Sequence, residues 1–136
     1  MALKYAPTIG TLMICDFRDT VAPEINKRRP VVLLAHNSNK LCTVVPCSTT
    51  EPNPIESWHY LIHTANPLPR PYAAKYYWVK CDMIFVASFE RLTIPFNGKD
   101  ANGKRKLVVQ SVSEEELAAI RRCVARALFP GILLDK

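Results

Sequence analysis

Three short stretches of this 136-residue chain carry side chains able to do chemistry. Lys27-Arg28-Arg29-Pro30 sets three cations in a row before an apolar run. A guanidinium presents a planar fork of donors that matches a phosphate. The stretch therefore points to an anionic ligand, and the competing reading is a charged, solvated strand entrance. Pro46-Cys47-Ser48-Thr49-Thr50 sets three hydroxyls in a row. Hydroxyls at a strand end can donate to the same phosphate; the competing reading is a polar loop start. Lys80-Cys81-Asp82 alternates charge, thiol and charge. On a strand, Lys80 and Asp82 share one face and Cys81 points to the other. An unpaired buried carboxylate is costly, so Asp82, within a long apolar run, must face an arginine or open solvent. An Asp–Arg pair at a groove is an acid/base unit.

Other residues carry weaker signals. His59 and His63 stand four apart, but the zinc-protease pattern needs a glutamate where Tyr60 stands. Cys15, Cys42, Cys47, Cys81 and Cys123 are widely spaced, odd in number and without a C-x-x-C pair. No metal site is expected, and free thiols of this kind behave as small buried hydrophobes. Tyr76, Tyr77 and Trp78 could stack on bases. Trp78 reads better as core, and the tyrosines stay open between core and ligand. The basic turn from Lys99 to Lys106 could touch phosphates, though a mobile, solvated turn is the plainer reading.

The elements that must position these groups are mostly short strands. Eleven prolines against four glycines disfavour long helices. Residues 11–17 read as a first strand, followed by a charged loop over 19–29. Pro30-Val31-Val32-Leu33-Leu34-Ala35 is a buried strand, residues 36–40 a turn, and Leu41 to Val45 the returning partner. A hairpin of this shape brings Arg29 and Ser48 to the same end of adjacent strands. Residues 58–62 form a short aromatic strand between Pro-rich loops, and 77–89 form one long strand or two short ones. A last strand segment is expected over 107–109.

The C-terminus changes character. Ser113-Glu114-Glu115-Glu116 is a capping box, and Leu117, Ile120, Val124 and Leu128 recur on one helical face. Pro130-Gly131 stops that helix, which spans about 113–129 and closes the core. The fold class expected is mainly β with a C-terminal α-helix, a small barrel that removes exposed sheet edges.

Size and charge bound the rest. The length allows one domain over residues 1–136. A hydrophobic fraction of 49% excludes a disordered chain. No apolar run is long enough for a membrane helix. The first ten residues lack the apolar core of a secretory signal, so a reducing cytoplasm suits the free thiols. A net charge of +6 favours an anionic partner, either nucleic acid or an acidic protein.

Taken in order, the motifs resemble the MazF/PemK family of toxin–antitoxin toxins. The resemblance rests on Gly10 followed by Asp16-Phe17, on Glu24 ahead of Arg29-Pro30-Val31-Val32, and on Val45-Pro46-Cys47-Ser48-Thr49. Trp78-Val79-Lys80-Cys81-Asp82, Arg91-Leu92 and the terminal helix continue it, so it covers nearly the whole chain. It implies an SH3-like β-barrel closed by the C-terminal amphipathic helix. It implies a cytoplasmic homodimer that cuts single-stranded RNA without metal or cofactor and is silenced by an acidic antitoxin. Carried over by motif, Arg29 is the catalytic arginine, Ser48 takes the place of the catalytic threonine, and Thr49 stands beside it. Glu24 matches an assisting acid, while Asp82 and Lys80 match an Asp and an Arg of the PemK-like branch. Lys27, Arg28, Thr49 and Lys80 then serve RNA binding. Serine for threonine keeps one hydroxyl, whereas lysine for arginine loses the bidentate fork.

The chemistry so implied is attack of an RNA 2′-OH on the adjacent phosphate, leaving a 2′,3′-cyclic phosphate and a 5′-OH. Asp82 or Glu24 takes the proton, since an arginine stays protonated, and Arg29 and Ser48 stabilise the phosphate. The alternative is a non-catalytic toxin on the same fold that poisons a protein such as DNA gyrase.

Overall fold

The computed structural model of the chain describes Leu3 and residues 6–64 and 67–131. The ends of the expected domain and residues 65–66 of its Pro-rich loop lie outside the described residues. Nine strands and one α-helix follow in order. They are β1 (Leu12–Cys15), β2 (Arg29–Asn37), β3 (Leu41–Ser48), β4 (His59–His63) and β5 (Tyr76–Lys80), then β6 (Phe85–Ser88), β7 (Leu92–Thr93), β8 (Phe96–Lys99), β9 (Arg105–Leu107) and α1 (Glu114–Leu128). A single 3-10 turn at Phe89–Arg91 joins β6 to β7. The long apolar stretch is thus two strands, broken where the amide of Met83 donates to the carbonyl of Lys80.

The main sheet runs β4-β5-β3-β2-β1-β7, with β6 paired to β3 beside that path. The expected closed barrel is not found among the described residues. The physical reason lies in β3. One edge of β3 pairs with β2, while the other is shared, with Leu41 to Val44 on β6 and Cys47 to Ser48 on β5. The sheet forks there into β5–β4 and β6, and its end strands, β4 beyond β5 and β7 beyond β2 and β1, form no ladder with each other among the described residues. Pro46 sits at the fork, where its missing N–H removes a ladder donor.

Alternation along the strands divides the apolar side chains between two cores. Val32, Val45, Cys47, Ile62, Tyr77 and Val79 pack on one face together with Ile120 and Cys123 of α1. Val31, Leu33, Val44, Met13, Phe89 and Leu92 pack on the other. Trp78 is buried, as the sequence suggests; of the open tyrosines Tyr77 is buried and Tyr76 is exposed. The helix has the capping box read from the sequence, with the Glu116 amide 3.0 Å from Ser113 Oγ. Ile120 is buried on its inner face, while Leu128 at its end is exposed.

One hairpin departs from expectation. The basic segment is not a long turn, because β8 and β9 pair antiparallel and confine the turn to residues 100–104. Asp100 fixes that turn: its Oδ1 accepts from the amides of Asn102 at 2.8 Å and Lys104 at 2.9 Å. Gly103, at φ +79°, supplies the left-handed residue the turn requires. The last strand falls at 105–107, two residues earlier than the spacing predicts. Among the described residues no helix is long and apolar enough to cross a membrane.

Candidate functional site

The β2–β3 ladder sets the geometry of the rim. Its register pairs Val31 with Pro46, Val32 with Val45 and Leu33 with Val44. Continued two residues further, the same register sets Arg29 opposite Ser48. Both lie on the face shared by Val31 and Val44, by strand alternation. Pro30 and Pro46 carry no N–H, so the ladder weakens towards this end. There the strands take other partners: Arg29 pairs with Cys15 on β1, and Ser48 with Trp78 on β5.

Both side chains retain donor capacity. Nε of Arg29 is buried and has no hydrogen-bond partner among the described residues. Leaving such a donor unpaired costs about 1–3 kcal/mol, which an anion at the site offsets. Ser48 is 6% exposed, and its Oγ accepts from the Thr50 amide at 3.1 Å. That bond occupies a lone pair and leaves the hydroxyl hydrogen free to donate.

The two carboxylates meet in a neighbouring cavity of about 340 Å³, whose walls include Glu24, Asp82, Pro46, Ile25 and Phe85. Pro46 links this cavity to the rim, but Arg29 and Ser48 are not among its walls. Glu24 is engaged by its own loop: one carboxylate oxygen accepts from the Val21 amide at 2.7 Å. Asp82 is exposed, so it has the open solvent its charge demands. Lys27, Arg28 and Thr49 are exposed around the rim, and Lys80 is half-buried at the end of β5, paired in register with His59.

The thiols are not nucleophiles at this site. All five cysteines are free and buried. Burial pushes Cys15 and Cys47 up to about 12, far above neutral pH. Cys81 moves upward too, through its bond to Cys123 and its burial. Cys123 moves the other way, because Cys81 and Arg126 favour its thiolate, but it lies in the core on the inner face of α1. His59 Nδ1 accepts from the Glu56 amide at 2.9 Å. No group of three or more His, Cys, Asp or Glu side chains among the described residues is placed to hold a metal ion.

Sequence reasoning used Asp16 only as a motif landmark, and the structure makes it a hub. Asp16 accepts from Arg18 Nε at 2.9 and 3.1 Å and from Arg18 Nη2 at 2.7 Å, and lies 3.6 Å from Arg28 Nε. The Arg18 hydrogen bond holds its carboxyl down at about 2. Arg91 completes the loop: it donates to the Asp16 carbonyl at 2.8 Å and lies 2.7 Å from Asp19. The local signal was the Asp16-x-Arg18 spacing; nothing local announces the contact with Arg91, 75 residues away.

The sequence model of a family described as PemK-like, MazF-like toxin of type II toxin–antitoxin system matches residues 9–128. No curated protein matches the chain. Solved structures do. An endoribonuclease from a Mycobacterial species, in complex with its cognate antitoxin, aligns at TM-score 0.61 and 17% identity over 94% of this chain and 100% of that one. MazF from Deinococcus radiodurans aligns at TM-score 0.62 and 14% identity over 92% of this chain and 98% of that one. The Mycobacterium tuberculosis toxin MazF-mt6 aligns at TM-score 0.54 and 16% identity over 86% of this chain and 94% of that one. At such identities the likeness is one of fold.

Proposed function

We propose that this chain, which belongs to the PemK-like, MazF-like toxins of type II toxin–antitoxin systems, is a single-domain endoribonuclease that cuts single-stranded RNA without a metal ion. The observation that supports the reading is the β2–β3 ladder, whose last pair, Val31 with Pro46, lies two residues from Arg29 and from Ser48, so that a guanidinium with an unpaired donor and a serine hydroxyl free to donate end adjacent strands.

The RNA 2′-oxygen attacks the adjacent phosphorus, and the 5′-oxygen of the next nucleotide leaves with the P–O bond pair and takes a proton from solvent water. Products are a 2′,3′-cyclic phosphate and a 5′-OH. Arg29 and Ser48 donate to the phosphate oxygens on which charge grows, and such donors are worth most in a site that excludes water. Asp82 takes the 2′-OH proton: it has no hydrogen-bond partner among the described residues, whereas Glu24 is engaged by the Val21 amide. Lys27, Arg28, Thr49 and Lys80 hold the flanking phosphates. DNA lacks the 2′-OH and is spared.

The partner that silences the toxin is an acidic antitoxin, for which a net charge of +6 is suited. The protein works in the cytoplasm as a homodimer. Exposed Leu128 and Phe129, adjacent at the end of α1, support burial against a second copy.

The test is incubation of purified protein with a long single-stranded RNA in excess EDTA, beside a DNA control, with analysis of product ends. Discrete RNA fragments with 5′-OH ends, intact DNA, and no cleavage by a folded Arg29→Ala variant are expected. Cleavage by that variant at the wild-type rate overturns the assignment of Arg29. Intact RNA across several sequences moves the function to a non-catalytic toxin that poisons a protein such as DNA gyrase.

A further inference from the structure

A larger cleft, of about 860 Å³, opens beside the rim and shares only Arg28 with the residues used above. Its walls come from the end of β1, from Arg28, from the Pro67–Ala73 loop and from the β8–β9 hairpin. Four guanidiniums line it, those of Arg28, Arg70, Arg91 and Arg105, against the carboxylates of Asp16 and Glu90. The arginines are not equivalent. Arg91 is tied to Asp19 and to the Asp16 carbonyl. Arg28 has one long ion pair, 3.6 Å from Asp16. Arg70 is exposed and has no ion pair among the described residues. Arg105 lies over the ring of Phe96, with its guanidinium carbon 4.2 Å from the ring centroid.

From this lining we infer that the cleft binds nucleotides of the RNA strand next to the scissile bond, with Arg28, Arg70 and Arg105 on phosphates and the Tyr72 and Phe96–Arg105 surfaces stacking bases. The inference rests on the RNA-cutting reading and extends it to a substrate subsite. Three features favour RNA over an acidic peptide. Arg28 is adjacent in sequence to Arg29, so a strand leaving the rim meets the cleft at its next cation. Rings and guanidinium planes are the stacking surfaces that single strands use. The two carboxylates repel an acidic peptide but accept hydrogen bonds from base amino groups, and Asp16 stays ionised at neutral pH. The volume lies in the range of sites that enclose a small ligand. Asp100 braces the hairpin wall through two side-chain bonds to the turn, so the cleft is formed before the ligand arrives.

The test uses a fluorescent single-stranded 12-mer with 2′-O-methyl sugars, which presents bases and phosphates but cannot be cut by 2′-OH attack. Its affinity is measured for wild type, for Arg70→Ala/Arg105→Ala and for Arg70→Glu. The last variant touches no internal contact and guards against a misfolded hairpin. Both variants should bind about tenfold or more weakly, and the double variant should lower the salt dependence by about one to two phosphate contacts. Unchanged affinity and salt slope in both variants overturn the inference. So does displacement of polyglutamate, but not of the 12-mer, by the substitutions, since the cleft then serves an acidic peptide. The readout is independent of cleavage. A wild type that cuts RNA while both variants bind normally defeats the subsite alone; a wild type that binds through the cleft but cuts nothing defeats the ribonuclease reading alone.

Discussion

The rim and the loop beside it use charge in opposite ways. In the loop from Asp16 to Arg28 the charges close on one another. Asp16 holds Arg18 and Arg28, Asp19 holds Arg91, and Glu24 caps the Val21 amide. At the rim, which begins with the next residue, and in the cavity beside it they stay open. At the rim Arg29 Nε is buried without a hydrogen-bond partner among the described residues, and in the neighbouring cavity Asp82 faces solvent. Self-paired charges hold the loop against Arg91 in the 3-10 turn before β7, while unpaired ones have no internal partner to lose when an ion of opposite charge approaches. The difference separates charges tied within the protein from charges left open, with Arg28, on its single long ion pair, standing between the two.

That division can be broken by substitution. At the rim, Ser48→Ala should lower the cleavage rate about a hundredfold to a thousandfold without changing the thermal midpoint, while Ser48→Thr retains activity. A loss with Ser48→Ala that tracks unfolding would place Ser48 with the scaffold. Asp82→Asn should cost about a hundredfold or more in kcat, as loss of a general base does. Its effect should exceed that of Glu24→Gln; the reverse order would make Glu24 the base.

In the loop the expected effects are on stability. Arg91→Ala removes the bond to the Asp16 carbonyl, whose loss should cost about 1–3 kcal/mol in denaturant unfolding, and the solvent-screened Asp19 pair, which adds little. A wild-type midpoint would mean the tie does not hold the loop. Asp16→Asn should be the smallest, about 0.5–1 kcal/mol, because the pair is partly exposed. Its pH dependence has a definite sign. The Asp16 carboxyl is lowered from 3.8 to about 2 on folding. Its contribution is therefore full above about pH 4 and lost as pH falls through about 2. Wild type and Asp16→Asn should differ in urea midpoint at pH 7 and coincide near pH 2; a difference that persists at pH 2 would assign the effect to packing.

Much of the fold was legible because its signals are local. Ser113 and Glu116 mark the helix start within four residues, and the hairpin from Arg29 to Ser48 reads from apolar runs around a turn. Strand pairing then brought Arg29 and Ser48 to one end, as alternation and turn length require. The fork at β3 was not legible, because it depends on two later strands competing for one edge of an earlier one. The hairpin of β8 and β9 was missed for a related reason: its strands are short, polar and exposed, so no buried face imprints a period on them.

By itself, the sequence determined the residue types, the helix with its cap, the hairpin and the shared end of Arg29 and Ser48. Each of these follows from propensities and periods that act within a few residues. Only the tertiary structure decided that the sheet stays open, that Asp16 gathers Arg18 and Arg28 while Arg91 reaches its carbonyl, and that Arg28, Arg70 and Arg105 line one cleft. Those arrangements bring together residues far apart along the chain. The entropy of closing such loops is offset only when the whole core forms, so no local stretch of sequence carries their signal.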